Sequence, residues 1–351
     1  MPGVTSRESD KVKLRGALSG FGAVAERAHL PGWRSRHGVT IAAVHEPVAE
    51  RRHAAIRAIR NVRVYDDLDL LLTGESPGFV DVASPPAHHA ATVRAALEAG
   101  AHVLVEKPLC LALDDFDSLA SLARARRRVL MCVHNWKHAP AYAAARALID
   151  QGRVGAVRYL SLQRLRTAPA GAGESGGRWR ADAATGGGIL IDHGWHVFYL
   201  MHWLLDAGAP LCVSAHFDRA GGAAVEDLAD LRVTFDGGRL AHANLSWRSP
   251  VRRTRALISG DRATLDLEDD RIVFTDRTGS IEELSVTDAP DDSYHSSWFS
   301  GIAADFERAV CDGPDSAVAT TNLAEARVCV ALTVAARESA RSHGREIPLR
   351  P

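Results

Sequence analysis

The chain of 351 residues has very little lysine: its 42 basic residues are 38 arginines and four lysines, namely Lys11, Lys13, Lys107 and Lys137. An excess of charge of one sign is also missing, because 43 acidic residues leave a net charge of −1. This balance argues against a nucleic-acid partner, and a hydrophobic content of 46% argues against a disordered chain. The length exceeds one typical core and predicts two domains.

Paired cysteines, a secretory leader and a membrane span are missing as well. The five cysteines have no CxxC spacing, so we expect reduced thiols rather than a zinc site or a disulfide frame. The amino-terminal MPGVTSRESD has no apolar leader segment, and no run of 18 apolar residues occurs. These features predict a cytoplasmic protein with no membrane partner, and a disordered tail at 1–10.

Residues 11–133 alternate between short apolar runs and helical patterns. The predicted strands are 12–19, 39–45, 62–65, 79–83, 102–105 and 129–133. Repeated β-α-β units with continuously apolar strands predict a parallel sheet that is covered on both faces. Such a sheet binds ligands at the carboxyl ends of its strands.

Residues 134–351 follow a different pattern. Helices are predicted at 139–150, 187–205, 296–311 and 320–342, and strands with two-residue alternation lie between 210 and 287. The strands of the second domain are therefore predicted to form antiparallel meanders. The Gly/Ala/Pro-rich segment 168–177 is predicted to be a mobile loop over a site.

A GxGxxA turn follows the first predicted strand. Its residues are Gly20, Phe21, Gly22, Ala23, Val24 and Ala25. The small residues permit a tight turn, close approach of a pyrophosphate and close helix packing. Glu46 ends the second strand 21 residues after Ala25, where an acid accepts the adenosine ribose hydroxyls. The pattern predicts a Rossmann domain that prefers NAD, although Arg51 and Arg52 leave NADP open; a glycine turn that binds no phosphate is the alternative.

Two further segments follow strands at the same edge. Ser84-Pro85-Pro86-Ala87-His88-His89 is interpreted either as a wall beside the cofactor or as a helix start. In Glu106-Lys107-Pro108, Lys107 stands out in a chain that avoids lysine. An amine can exchange a proton where a guanidinium cannot. A Glu106–Lys107 salt bridge is the alternative, but adjacent strand residues point to opposite faces.

The segment Gly186 to His196 places three ionisable side chains on an apolar helix. Asp192 and His196 are four residues apart and share a face. A carboxylate and an imidazole suit acid–base chemistry, and burying them without a function would be costly. Asp192, His193 and His196 also resemble zinc or iron ligands, but no clear third ligand facing the same way is present, and we assign no metal.

These motifs, together with His134-Asn135-Trp136-Lys137-His138-Ala139-Pro140, resemble the glucose–fructose oxidoreductase, inositol dehydrogenase and rhizopine-catabolism (Gfo/Idh/MocA) family over residues 12–349. The resemblance implies an NAD(P)-dependent sugar or cyclitol dehydrogenase, with a Rossmann domain at 11–133. Residues 134–351 would form a substrate-binding α/β domain whose open, largely antiparallel sheet makes a homodimer or homotetramer. Ala25, Glu46 and His193 depart from the commoner family residues.

The resemblance places the catalytic residues at Lys107, Asp192 and His196. We expect His196 to take the hydroxyl proton of the substrate, Lys107 to bind the same oxygen, and Asp192 to orient substrate hydroxyls or His196. The predicted cofactor contacts are Gly20, Phe21, Gly22, Ala23, Val24, Glu46, Ser84, Pro85, His89, Glu106, Lys107 and Asn135. The predicted substrate contacts are Lys137, Trp179, Arg180, Asp192, His193, His196 and His295.

Two questions stay open from the sequence. Arg164, Arg166, Arg178 and Arg180 suit a phosphate or carboxylate, but a solvated strand face is the favoured interpretation. The clusters Arg124–Arg128 and Arg252–Arg255 are interpreted as solvated surface. Two other functions also fit the motifs: a redox-neutral NAD-dependent glycosidase and a non-enzymic, sugar-sensing regulator on the same fold.

Overall fold

A computed structural model describes residues 14–172, 177–206, 208–288 and 294–349. The predicted tail, Lys11 and Lys13 lie outside the described residues, as does part of the predicted loop at 168–177.

The first sheet has six parallel strands in the order β3-β2-β1-β4-β5-β6. They are β1 (Leu14–Ser19), β2 (Val39–His45), β3 (Arg63–Tyr65), β4 (Phe79–Val82), β5 (His102–Val105) and β6 (Leu130–Cys132). The strand order reverses between β1 and β4, which opens a crevice at the carboxyl ends of the strands. All six strands agree with the predicted ones to within two residues at each end.

Helices connect these strands and cover both faces of the sheet. They are α1 (Leu30–Arg34), preceded by a π-helical turn (Ala25–His29), and α2 (Ala49–Ala58), α3 (Leu68–Glu75), α4 (His89–Glu98) and α5 (Leu113–Ala125). Part of one face is covered from the far end of the chain. There, Phe299 and Phe306 pack against Trp33, and Phe306 also packs against Phe79.

The second sheet has nine strands in the order β14-β13-β12-β11-β7-β10-β9-β8-β15. All its strand pairs are antiparallel except β7 with β10, so the predicted sheet type is correct. The strands are β7 (Val157–Leu165), β8 (Pro210–Asp218), β9 (Leu228–Phe235), β10 (Leu240–Ser246), β11 (Arg253–Gly260), β12 (Ala263–Glu268), β13 (Arg271–Asp276), β14 (Ile281–Ser285) and β15 (Ile347–Pro348). The central strand β7 was not predicted from the sequence.

Four helices accompany this sheet: α6 (Pro140–Asp150), α7 (Trp195–Leu205), α8 (Ser296–Asp312) and α9 (Ala317–Arg341). A π-helical turn at Leu190–Gly194, which the sequence pattern did not predict, leads into α7. Helix α9 is long and apolar enough to cross a membrane by length and composition alone. Its residues Ala326, Cys329, Val330 and Leu332 are buried in the protein core, as expected of a core helix.

Candidate active site

A cavity of about 870 Å³ lies where the crevice of the first sheet faces the second sheet. Its size is at the upper end of the range for ligand-binding pockets. Sixteen of the predicted site residues line it: Gly20, Gly22, Ala23, Val24, Glu46, Ser84, Pro85, Glu106, Lys107, Asn135, Trp179, Arg180, Asp192, His193, His196 and His295. The fold therefore brings most of the predicted cofactor and substrate residues to one place.

The glycine turn at one end of the cavity has the shape that a pyrophosphate needs. Gly20 has φ = 94°, and a Cβ there would lie 2.8 Å from the backbone of Ala83. A Cβ on Gly22 would meet no atom within 4 Å, so the missing side chain leaves open space at the cavity wall. Glu46, the acid at the end of β2, also lines this part of the cavity and accepts hydrogen bonds from the N–H groups of Phe21 (2.8 Å) and Val48 (2.9 Å).

Several buried polar atoms around the cavity have no hydrogen-bond partner among the described residues. They are Ser84 Oγ, Asn135 Oδ1, Asp192 Oδ2 and His193 Nδ1. Buried polar groups are almost always hydrogen-bonded in folded proteins. Four such atoms on residues that line one cavity therefore indicate a polar ligand, and the residues present fit a dinucleotide with a hydroxyl-bearing substrate beside it.

Lys107 and Asp192 form an ion pair in the cavity wall. Lys107 Nζ lies 3.1 Å from Asp192 Oδ1 and 2.6 Å from the main-chain oxygen of Asp192. Arg180 Nε lies 3.0 Å from the same carboxylate oxygen. Burial alone would raise the pKa of Asp192, but Arg180 and Lys107 outweigh burial and hold this pKa well below its usual value. Asp192 is thus a fixed anion that positions the Lys107 ammonium.

His196 is held by Tyr199 rather than by Asp192. His196 Nδ1 lies 2.9 Å from the Tyr199 hydroxyl, which also accepts a hydrogen bond from the main-chain N–H of Trp136. Burial, and then the charges of Lys107 and Arg164, lower the pKa of His196 well below 6.5, so its ring is neutral at neutral pH. With Nδ1 engaged, Nε2 is the ring nitrogen left to exchange a proton with a ligand.

Glu106 and Lys107 do not pair through their side chains, in agreement with their adjacent strand positions. Glu106 instead lies 3.0 Å from His29 Nε2, and His29 Nδ1 lies 2.9 Å from Asp81. Burial opposes a charge on His29, but the two carboxylates outweigh it and raise the pKa of His29 to about 9. This buried triad was not predicted from the sequence, although His29 also lines the cavity.

Three predicted contacts do not line the cavity. The Phe21 side chain is buried in the core, and its N–H is taken by Glu46. His89 is buried behind the wall, where its ring nitrogens lie 2.6 Å and 2.7 Å from the carbonyl oxygens of Pro108 and Ser84. Lys137 bonds Glu325 at 2.7 Å. We therefore remove Phe21, His89 and Lys137 from the predicted ligand contacts.

The favoured interpretation of the arginines as a solvated strand face is wrong for three of them. Arg164 is 2% exposed and its guanidinium lies 3.0 Å from the ring centre of Trp136. Arg166 and Arg180 line the cavity, as do Trp136 and Arg252, which were not predicted as ligand contacts. The two-residue alternation of β7 is the signal that would have placed Arg164 on the buried face.

Within the described ranges, no group of three or more His, Cys, Asp or Glu residues is placed to hold a metal ion. Asp192, the central member of the zinc or iron alternative, is already engaged by two cationic side chains.

Comparison with known proteins assigns the family. Residues 14–134 match the oxidoreductase family, NAD-binding Rossmann fold model (GFO_IDH_MocA), and residues 142–266 match the GFO/IDH/MocA C-terminal domain model. The chain belongs to the Gfo/Idh/MocA family. It is thus an oxidoreductase with an NAD-binding Rossmann domain, as the sequence motifs predicted.

Named relatives of this Gfo/Idh/MocA chain act on sugars. D-Glucoside 3-dehydrogenase of Escherichia coli is 27% identical over 80% of this chain and 84% of its own length. A dTDP-3,4-didehydro-2,6-dideoxy-alpha-D-glucose 3-reductase of Streptomyces violaceoruber is 35% identical over 55% of this chain and 54% of its own.

A solved structure shares the fold over almost the whole chain. It is an inositol dehydrogenase homologue of Azotobacter vinelandii in complex with NAD+, with a TM-score of 0.82 and 22% identity, covering 96% of this chain and 97% of that one. This likeness supports the two-sheet architecture of the family.

Proposed function

We propose that the protein is an NAD-dependent dehydrogenase that acts on a secondary hydroxyl of a sugar, sugar derivative or cyclitol. The observation that carries this proposal is the convergence of Lys107, Asp192 and His196 in the cavity that the glycine turn also lines. The names of the sugar-specific relatives support the substrate class.

Three residues of this chain have separate roles in the proposed reaction. NAD, when bound, supplies the hydride acceptor. His196 exchanges the hydroxyl proton through Nε2, and Lys107 donates a hydrogen bond to the same oxygen, where negative charge develops. Asp192 holds Lys107 in place, because its carboxylate and main-chain oxygens both accept from Nζ.

Tyr199 holds the ring of His196 through Nδ1, which lies 2.9 Å from its hydroxyl. The hydroxyl oxygen accepts from the main-chain N–H of Trp136 and can also accept from Nδ1–H. In that tautomer Nε2 has a free lone pair that takes the proton of the alcohol. In the other tautomer the Tyr199 hydroxyl donates to Nδ1, and Nε2–H donates to the carbonyl oxygen in the reverse reaction.

We also propose that the protein is a cytoplasmic homodimer or homotetramer that associates through the second sheet. The outer face of that sheet carries cross-strand ion pairs such as Arg255 with Asp266 and Arg271 with Glu283.

The proposal is tested with NAD and a panel of sugars and cyclitols, followed by absorbance at the NADH band. We expect NADH to accumulate with a substrate, and turnover to fall by about 100-fold or more in His196→Ala and in Lys107→Ala while both variants still bind NAD. Near-normal turnover in both variants contradicts the proposal. Cleavage of a glycoside without net NADH instead identifies the redox-neutral glycosidase, and ligand binding without any turnover identifies the regulator.

A further inference from the structure

Three arginines converge at the substrate end of the cavity. Arg164 and Arg166, two residues apart at the end of β7, share a side of the strand, and Arg252 comes just before the neighbouring strand β11. Arg166 and Arg252 line the cavity, with Arg252 at its exposed rim. Arg164 lies behind them and stacks over Trp136, which is itself part of the wall.

None of these three guanidinium groups has a carboxylate within 4.0 Å among the residues that the structure describes. Arg164 Nη1 and Arg166 Nη2 donate to the neutral Thr254 hydroxyl, at 3.0 Å and 3.1 Å. Arg166 also donates to the main-chain oxygens of Leu165 and Arg253. The second terminal nitrogen of Arg164 is buried without a partner.

Three arginines on other strands of this sheet differ from this cluster in having a carboxylate partner. Arg253 lies 2.9 Å from Glu268, and Arg255 and Arg271 each contact a carboxylate on the adjacent strand. Arg164 is the buried member of the cluster. Since a buried charge without a counter-charge is costly, a group that brings negative charge is expected beside it.

The acids of the cavity do not supply that charge. Asp192 is shared by Lys107 and Arg180, and Glu106 is engaged by His29. Burial together with the neighbouring cations lowers the pKa of Arg164 to about 9 and of Arg166 to about 10. The substrate end of the cavity thus has a surplus of positive charge.

The cluster is separate from the glycine turn that suits a pyrophosphate. It lies on the second sheet, near the candidate catalytic histidines, and its charge contributes to lowering the pKa of both His193 and His196. An anion at this position belongs to the molecule that is oxidised or reduced and not to the dinucleotide.

We propose that the substrate is a sugar or cyclitol bearing an anionic group, a carboxylate or a phosphate, that Arg166 and Arg252 bind. Arg164 supports this subsite from behind through its stacking on Trp136. A guanidinium offers paired N–H donors that match both anions. This inference rests on the proposed dehydrogenase function and specifies its substrate class.

The experiment compares matched sets of substrates with NAD: several hexoses, each as the neutral sugar, the uronate and the 6-phosphate, together with myo-inositol and its monophosphate. We expect kcat/KM for one anionic form to exceed that of its neutral parent by about 10- to 100-fold. The anionic form with the higher kcat/KM shows whether the subsite takes a carboxylate or a phosphate. Arg166→Gln and Arg252→Gln remove the difference mainly through KM, whereas Arg253→Gln, on the paired neighbour, preserves it.

Neutral sugars that react as well as their anionic forms overturn the inference, as do Gln variants that slow both forms equally. Either result leaves the dehydrogenase function intact. If no sugar of the panel is oxidised, the anion subsite is tested by calorimetric titration of the NAD-loaded protein with acetate and with inorganic phosphate. Binding that is at least 10-fold weaker in Arg166→Gln supports the subsite, and equal or undetectable binding in both proteins overturns it.

Discussion

Lys107 Nζ lies 2.6 Å from the main-chain oxygen of Asp192 and 3.1 Å from a carboxylate oxygen of the same residue. The lysine therefore reaches across the cavity from the end of β5 to the turn that begins α7, and its ammonium is fixed before any ligand arrives. The carboxylate of Asp192 also neutralises the buried ammonium and limits the cost of its burial.

The first prediction concerns Lys107→Arg. The charge is kept, but the planar guanidinium does not reproduce the two contacts of Nζ with Asp192 that aim its hydrogen bond at the substrate oxygen. We expect kcat to fall by about 100-fold or more, with NAD affinity unchanged. The control is Lys137→Arg, which keeps its pairing with Glu325 and should retain near-normal kcat. Comparable rates in the two variants would contradict a special role for Lys107.

The contrast between these two lysines shows how far the sequence predicts the site. Apolar strands and a glycine turn are local features, so the first sheet and its binding edge followed directly from the sequence. Lys137 lies in an equally suggestive motif, but its partner Glu325 is 188 residues away on α9, and no local pattern reports such a contact.

Contacts between residues that are distant in sequence also explain why the arginines were wrongly predicted to be solvated and why the π-helical turn before α7 was not predicted. The alternation of β7 tells which residues share a face, whereas burial of Arg164 depends on Trp136 and on strand β11 beside it. The π-helical turn at Leu190–Gly194 has no distinctive composition. Asp192 lies within this turn, and the two side chains that were predicted to share a helix face have different partners. The Asp192 carboxylate pairs with Lys107 and Arg180, whereas His196 bonds Tyr199.

The second prediction concerns Tyr199→Phe. Loss of the hydroxyl leaves His196 Nδ1 and the Trp136 N–H without their partner, so the imidazole is no longer held in one orientation or tautomer. We expect kcat to fall by about 10- to 100-fold with little change in KM. Tyr142→Phe is the matched control, since Tyr142 also packs against Trp136 but does not bond His196.

The pH dependence of kcat/KM distinguishes a loss of His196 positioning from a general loss of structure in Tyr199→Phe. Because burial, Lys107 and Arg164 lower the pKa of His196 well below 6.5, the acidic limb of kcat/KM should lie below pH 6.5 in the wild type. In Tyr199→Phe the rate should be lower at every pH from about 6.5 to 8, with no change in the shape of the curve over that range. A wild-type inflection at or above pH 6.5 would be inconsistent with this account.

The third prediction concerns the choice of dinucleotide. The Glu46 carboxylate is fixed by two backbone N–H groups at the cavity wall, where it repels a 2′-phosphate. Arg51 lies 4.0 Å from it and becomes available to a phosphate when the acid is removed. We expect Glu46→Ser to lower the ratio of kcat/KM for NAD to that for NADP by about 10- to 100-fold.

Glu50→Ser is the control for this substitution, because it removes one negative charge from an exposed position at the start of α2. Its cofactor ratio should match the wild type. An unchanged ratio in Glu46→Ser would show that the acid does not select the dinucleotide, and an equal change in Glu50→Ser would show a long-range charge effect.

The fourth prediction concerns stability and rests on the buried triad of Asp81, His29 and Glu106. His29 is fully buried, stacks on Phe299 at 3.9 Å and is charged in the folded protein. His29→Gln leaves two carboxylates without their cation, and removal of one partner from a buried ion pair costs about 3–5 kcal/mol. We expect a loss of that order in the free energy of unfolding by urea at pH 6, with no loss in His53→Gln on the exposed side of α2.

The sign of the pH dependence follows from the raised pKa of His29. The folded pKa is about 9 and the unfolded value is 6.5, so the stabilisation is complete below pH 6.5 and is lost as the pH rises through 9. The difference between wild type and His29→Gln should therefore shrink steadily from pH 6.5 to pH 9. A difference that stays constant or grows over this range would mean that His29 is neutral in the folded protein, and that Asp81 and Glu106 hold it by hydrogen bonding alone.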